Sequence, residues 1–327
     1  MNLFKKYLLD HEIIFALLLI ALGWFLVQIK GVILIVFASY IIAVSFLPLI
    51  KFIEKRKIPR LTAVVLTYLL FLAMIVLLVL PILPFLISQV NLLLINLPEY
   101  IDRFFRLIGI GDAEIKTFLT SEFGNLSRNI FAVTGMILGG VIAVITTLVI
   151  SFYFSVEREK IRRVIVSFFP QDKKEEVMHV ISKIDIKLGS WVRGQMLISA
   201  LVGLLTWLVL MMIGLDFAGG LGLIAALLEI VPTLGPILAS LPAIFVALNT
   251  SPQKTVIVIL IYIAIQEIES DFLSPRIMAN VVDIDPVIII LGIIVTGHFF
   301  GIVGILLAVP FMSVLKVIND SLKIDRQ

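Results

Sequence analysis

One acidic residue, Glu229, stands directly before VPTLGP in the otherwise apolar run IAALLEIVPTLGP. A carboxylate there has three uses: it can cap amides freed by the proline break, pair with Arg276 or Arg193, or bind a proton or a cation. A second polar set, Gln266, Glu267, Glu269 and Asp271, falls in IYIAIQEIESDFLSPRIM, which ends with Arg276. Arg193 and Gln195 open another apolar stretch in WVRGQM, and His298 lies in TGHFFG. A charge at the centre of a bilayer costs about 2.5–3.5 kcal/mol even on lenient insertion scales, so such residues are candidates for a pathway or a relay. Each also has a plainer reading. Arg193 can snorkel to the interface or pair with the preceding charged segment, and His298 can be merely interfacial. Gln266 can tie helices through amide hydrogen bonds, which contribute only about 0.6–2 kcal/mol in a membrane.

No enzymatic motif competes with these groups. The chain lacks a Walker sequence, a dinucleotide glycine fingerprint and a His-Glu-x-x-His helix. Its three histidines, His11, His179 and His298, are far apart and cysteine is absent, so no metal and no cofactor are expected. With no nucleotide motif, any movement of solute must draw on an ion gradient or on diffusion.

The composition states what medium surrounds these residues. Of 327 residues, 61% are hydrophobic and 15% charged, against about 45–50% and about 25% in soluble domains. Mean hydropathy is +1.16. That excludes a soluble enzyme. The formal charge of +3 then describes orientation, because basic residues collect in cytoplasmic loops, and no nucleic-acid partner is implied.

The reading is an all-α polytopic membrane protein with about seven full spans. A membrane helix needs roughly 20 apolar residues, and 12–29, 31–50, 61–87, 130–155, 191–213, 254–271, 286–300 and 302–318 are the apolar segments. No cleavage site follows the first, which reads as a retained span forming a tight hairpin with the second. Pro81 and Pro84 should break or kink the third. Between spans, PEYIDRFFRLIGI is an amphipathic helix outside the bilayer core, and DAEIKTFLTSEF begins a weaker one. The charged 157–190 segment is also amphipathic, interrupted near Pro170. The 33 residues of 217–249 would measure about 50 Å as one helix, too long for a core of about 30 Å. Interrupted by two prolines and a glycine, they should form two short helices meeting at Pro232–Pro236, as a re-entrant loop or as a short hairpin.

Charge fixes the sides. Residues 51–60 carry five basic and one acidic side chain, 157–190 eight and six, and 88–128 four and five. The first two and both termini are therefore cytoplasmic, and 88–128 is external. Three regions result: an N-terminal membrane region at 1–156, a charged cytoplasmic segment at 157–190, and a C-terminal membrane core at 191–318.

Four strings in order, WVRGQMLISALVGLL, GLIAALLEIVPTLGPILASLPAIFVAL, IQEIESDFLSPRIM and VDIDPVIIILGIIVTGHFFGIVGILLAVPFMSVLKV, resemble the autoinducer-2 exporter family, also called PerM-like permeases. The layout agrees over essentially the whole chain. The resemblance implies a secondary transporter or exporter of a small polar solute such as autoinducer-2, or a monovalent cation/proton antiporter. It implies a homo-oligomer as well. The family's features fall on Arg193, Gly194 and Gln195, on Glu229, Pro232, Gly235 and Pro236, on Gln266, Glu269, Ser274, Pro275 and Arg276, and on Pro286 and Pro310. Thr233 stands where many members have an aromatic residue. A membrane scaffold, with 157–190 as a platform, is the reading of another class.

The cysteine-free chain permits a direct check of the sides. With single cysteines at Ser121, Lys57 and Lys174, an impermeant maleimide applied to whole cells should label Ser121→Cys alone. Labelling at Lys57→Cys without labelling at Ser121→Cys inverts the assignment.

Overall fold

The computed structural model describes residues 12–108, 130–232, 234–279 and 284–324. Among them every regular element is helical. Four helical stretches are long and apolar enough to cross a membrane, at Lys30–Glu54, Arg60–Leu78, Gln171–Met212 and Val287–Ser321, and shorter apolar helices lie between them. Large apolar side chains such as Leu17, Trp24, Leu70, Leu77, Ile290 and Ile302 are exposed, as a lipid-facing surface requires.

The N-terminal half is built from α1 (Glu12–Gln28), α2 (Lys30–Glu54), α3 (Arg60–Ile108) and α4 (Ile130–Val156). The hairpin expected between the first two segments is not formed. Only Ile29 separates α1 from α2, and the bonds Ile29 N–H to Phe25 O and Ile33 N–H to Ile29 O, both 3.1 Å, carry the helical pattern across it. One residue that keeps both bonds cannot reverse a chain.

The expected break in the third segment is absent too. Helix α3 continues through Pro81 and Pro84 for 49 residues, so PEYIDRFFRLI is the distal end of a membrane helix and not a separate surface helix. At about 1.5 Å per residue it measures about 74 Å, well beyond one bilayer. Each proline removes one ladder bond, yet the helix continues on both sides of it. DAEIKTFLTSEF lies outside the described residues.

Helices α2, α3 and α4 meet where Ile50, Ala63 and Val64 are buried against Phe46, Tyr68 and Phe152. The Arg60 guanidinium donates to the Ser155 carbonyl at 2.7 and 3.2 Å, fastening the start of α3 to the end of α4. The interruption near Pro170 is present: α5 (Arg158–Ser167) ends, a 3-10 turn spans Gln171–Lys173, and α6 (Lys174–Met212) begins. Helix α6 then runs unbroken from charged sequence into apolar sequence.

The stretch at 217–249 is indeed two helices, α7 (Ala218–Leu228) and α8 (Leu234–Thr250), broken at 229–233. Both ends of this hairpin lie beside the end of α6. There, Gly214 N–H bonds Met211 O and Leu215 N–H bonds Leu210 O, the pair of bonds that closes a helix in a Schellman motif. Lys254, in α9 (Pro252–Ile268), donates to the Gly214 carbonyl at 2.8 Å, and Ser251 caps α9. After α9 a π-helical turn, Glu269–Leu273, leads into α10 (Ser274–Met278).

The last helix, α11 (Pro286–Ile324), is a hairpin in its own right. Gly301 has φ 63° and ψ −147°, a conformation nearly reserved for glycine. The arms fold back on each other: a Cβ on Gly297 would meet the Ile305 side chain, and one on Gly292 that of Met312. The expected pair of segments at 286–300 and 302–318 is thus observed. Phe37, Ile41 and Val44 of α2 pack with Leu188 of α6 and with Leu307 and Phe311 of α11, joining the two halves.

Helix α7 approaches α6 most closely at Gly222, against Gly203. A Cβ on Gly222 would lie 2.7 Å from Gly203 O and 2.9 Å from Trp207 Cα. At Gly220 the nearest atoms would be those of the Phe217 ring, and at Gly23 there is nothing within 4 Å. Gly222→Ala and Gly203→Ala should therefore destabilise the folded protein by about 1–3 kcal/mol, the usual cost of overpacking. Gly23→Ala should be neutral. Thermal denaturation in detergent reads the difference, and equal midpoints for all three variants would refute the close approach.

Candidate functional site

The break at 229–233 decides where the polar residues gather. Where α7 stops, carbonyls are left without intrahelical partners and need donors from elsewhere. Gln195 supplies one: its Nε2 donates to the Glu229 carbonyl at 2.6 Å. Since Gln195 lies about 17 residues before the end of α6, the tip of the α7–α8 hairpin sits about 26 Å from its anchored ends, close to the thickness of a hydrocarbon core. Gly235 makes the tight return, where a Cβ would come within 2.2 Å of Leu228 O.

The Glu229 side chain is fully buried. Its acidic neighbour is Glu269, the first residue of the π turn and itself buried. A π turn offsets the helix face by one residue and often marks a functional position. Glu269 is held from its other side: Gln266 Nε2 donates to its Oε2 at 2.8 Å, and Ser274 Oγ to its Oε1 at 3.2 Å. Glu229 has no such support, and neither of its carboxylate oxygens receives a hydrogen bond.

Two open clefts flank this cluster. One is lined by Trp191, Gln195, Pro232, Glu269 and Ser274. The other is lined by Pro236, Ser240, Tyr262, Gln266 and Glu267. The structure thus brings together Gln195, Glu229, Gln266 and Glu269, with Pro232 and Pro236 on opposite sides of them. The arginines stay apart from it. Arg193 is exposed and donates to Ser190 Oγ at 2.9 Å, while Arg276 is exposed and lies 6.0 Å from the Phe272 ring centre. The pairing of Glu229 with Arg193 or Arg276 is therefore not made. His298 is exposed near the tip of α11. Among the described residues no three histidine, aspartate or glutamate side chains gather as a metal site would require.

One buried polar centre was not anticipated. Asp185 of α6, 5% exposed, takes a bond from Arg158 Nη2 at 2.6 Å, a second from Arg162, and a third from the Tyr40 hydroxyl. It ties α5 and α2 to α6. The signal was available: Ile181, Asp185 and Leu188 share a helix face with core spacing, and Arg158 and Arg162 are four apart.

With this geometry in view, comparison with known proteins can be weighed. The family model described as AI-2E family transporter matches residues 13–324. The chain belongs to this family. It is 29% identical to YueF of Bacillus subtilis over 83% of this chain and 79% of that protein. With YrrI of the same organism it shares 24% over 90% and 87%. Both carry provisional names as transport proteins. The AI-2 transport protein TqsA of Escherichia coli is 31% identical over 37% of this chain and 35% of its own length. As an AI-2E family member with these apolar helices, the chain is a multi-pass membrane transport protein.

The Asp185 centre gives a stability prediction. Its arginines are 17% and 13% exposed, so removing the acid takes the ion-pair partner from Arg162 and leaves Arg158 only the exposed Glu159 at 3.4 Å. Asp185→Ala should cost about 3–5 kcal/mol, as for other broken buried pairs. Tyr40→Phe should cost only about 0.5–1.5 kcal/mol, the worth of one hydrogen bond. Melting in detergent separates the two, and a near-wild-type midpoint for Asp185→Ala would remove the centre from the stability of the fold.

Proposed function

We propose that the C-terminal core, 191–318, moves a small polar solute across the cell membrane as a secondary transporter, with the solute passing Gln195, Glu229, Gln266 and Glu269. One observation carries this reading: a fully buried carboxyl group without a donor, at a helix break, between two clefts. Broken helices at membrane depth are how many secondary transporters build a midplane site. Autoinducer-2 is the cargo we assign, supported by the printed name of TqsA and by the polar, hydrogen-bonding character of the cluster. In this proposal 157–190 and the C-terminus face the cytoplasm, and the chain acts as a homo-oligomer; with α1 running on from α2 in place of the hairpin, the N-terminal side is no longer assigned to the same face. Arg193 and Arg276 lie outside the cluster and are given no part in this path.

A second reading, exchange of a monovalent cation for protons, draws on the same carboxyl groups, since no cationic side chain among the described residues forms an ion pair with them. Liposomes distinguish the two. With labelled autoinducer-2 inside, wild type should release solute, and Glu229→Gln should slow release by at least about tenfold, a loss of about 1.4 kcal/mol of transition-state stabilisation. Solute retained by wild type, with sodium-dependent dequenching of a pH-sensitive dye that is absent from Glu229→Gln, assigns exchange. A folded Glu229→Leu protein with full function in cells supports the scaffold instead.

A further inference from the structure

The Glu229–Glu269 arrangement poses a question of valence. Two carboxyl groups lie buried beside each other, and the polar groups around them among the described residues are few. From α6 comes the Gln195 amide, committed to the Glu229 carbonyl. From α9 comes the Gln266 amide, and from α10 the Ser274 hydroxyl, both committed to Glu269. The Tyr262 hydroxyl, also on α9, is buried beside the second cleft. The charged neighbours, Glu267, Asp271, Arg193 and Arg276, are exposed. No lysine, arginine or histidine among the described residues forms an ion pair with either glutamate.

Two adjacent carboxylates cannot both stay ionised in such a place, because each loses its hydration and gains a like charge as neighbour. One proton removes both difficulties. It turns one carboxyl into a donor, and that donor supplies the bond that the oxygens of Glu229 lack. The donors on Glu269 are disposed to favour its charged form, since an amide N–H and a hydroxyl both stabilise an anion. Glu229, with no donor of its own, is then the protonated member.

We propose that Glu229 and Glu269 share a single proton and form the proton-binding site of this protein, with Glu229 as its carrier and Gln266 and Ser274 as the positioning residues that hold Glu269 as acceptor. This deepens the transport reading above and rests on it for its use. Departure of the proton into the cleft lined by Glu269 and Ser274 leaves two facing negative charges. They draw in a cation, or they push the hairpin tip away and open the site to a polar solute. Proton and cargo would then occupy the site in alternation.

Infrared difference spectroscopy of the whole protein in lipid tests this without transport. Wild type at neutral pH should show the C=O band of one protonated carboxyl per chain, shifted in heavy water and lost at alkaline pH. Glu229→Gln and Glu269→Gln should each abolish it, since the glutamine amide then donates to a remaining carboxylate. Gln266→Leu should keep the band but move the pH at which it disappears, which a purely structural role would not do. A wild type without the band at neutral pH overturns the proposal, as does a band that survives in either single variant. The wild-type measurement decides even if the variants do not fold. A wild type that shows the band but moves no solute in liposomes removes the transport reading and leaves the shared proton standing.

Discussion

The amide of Gln195 bound to the carbonyl of Glu229 is the contact on which the site depends. In an apolar medium a helix cannot simply stop, because each stranded peptide group costs several kcal/mol. Residues 229–233 can leave the helical path only because a side chain of α6 meets the backbone they expose. The same helix brings Gly203 against Gly222, so α6 and α7 run close enough for that side chain to reach. Close packing, helix break and buried acid are thus one arrangement. Without the break, Glu229 would be one more turn of an apolar helix.

The site's position also reflects how the two halves are joined. Asp185 binds α5 and α2 to the lower part of α6, and a patch around Leu188 and Leu307 continues the contact into α11. Helix α6 is therefore shared: its first half carries the ionic centre, and its second half forms one wall of the hairpin. A displacement at the charged end has a continuous helix along which to reach Gln195.

Much of this was legible in the sequence. Apolar length and the prolines of VPTLGP located the α7–α8 break, and Gly301 separated two segments that observation shows folded together. Depth and polarity singled out Glu229, Gln195, Gln266 and Glu269, which the fold brings together. What failed depended on three-dimensional direction. Gln28–Gly31 has turn-like composition, yet its backbone keeps helical bonds, because composition does not forbid a helix. Prolines 81 and 84 were given more force than a long helix concedes them. Opposite charge suggested arginine partners for Glu229, but the π turn at Glu269 rotates another acid toward it instead. No periodicity analysis registers a one-residue change of helical phase.

The bond between Lys254 and Gly214 gives the α7–α8 hairpin a mechanical character. It is clamped where it meets the ends of α6 and α9, and the rest projects inward with its acid near the far end. Held only there, it would magnify rotation: over an arm of about 26 Å, a swing of about 10° at the clamp would displace the tip by about 4–5 Å, close to one helical pitch of about 5.4 Å. That distance exceeds the span of any hydrogen bond, so it is the contact of Gly222 with Gly203, about halfway along the arm, that keeps the tip against Gln195.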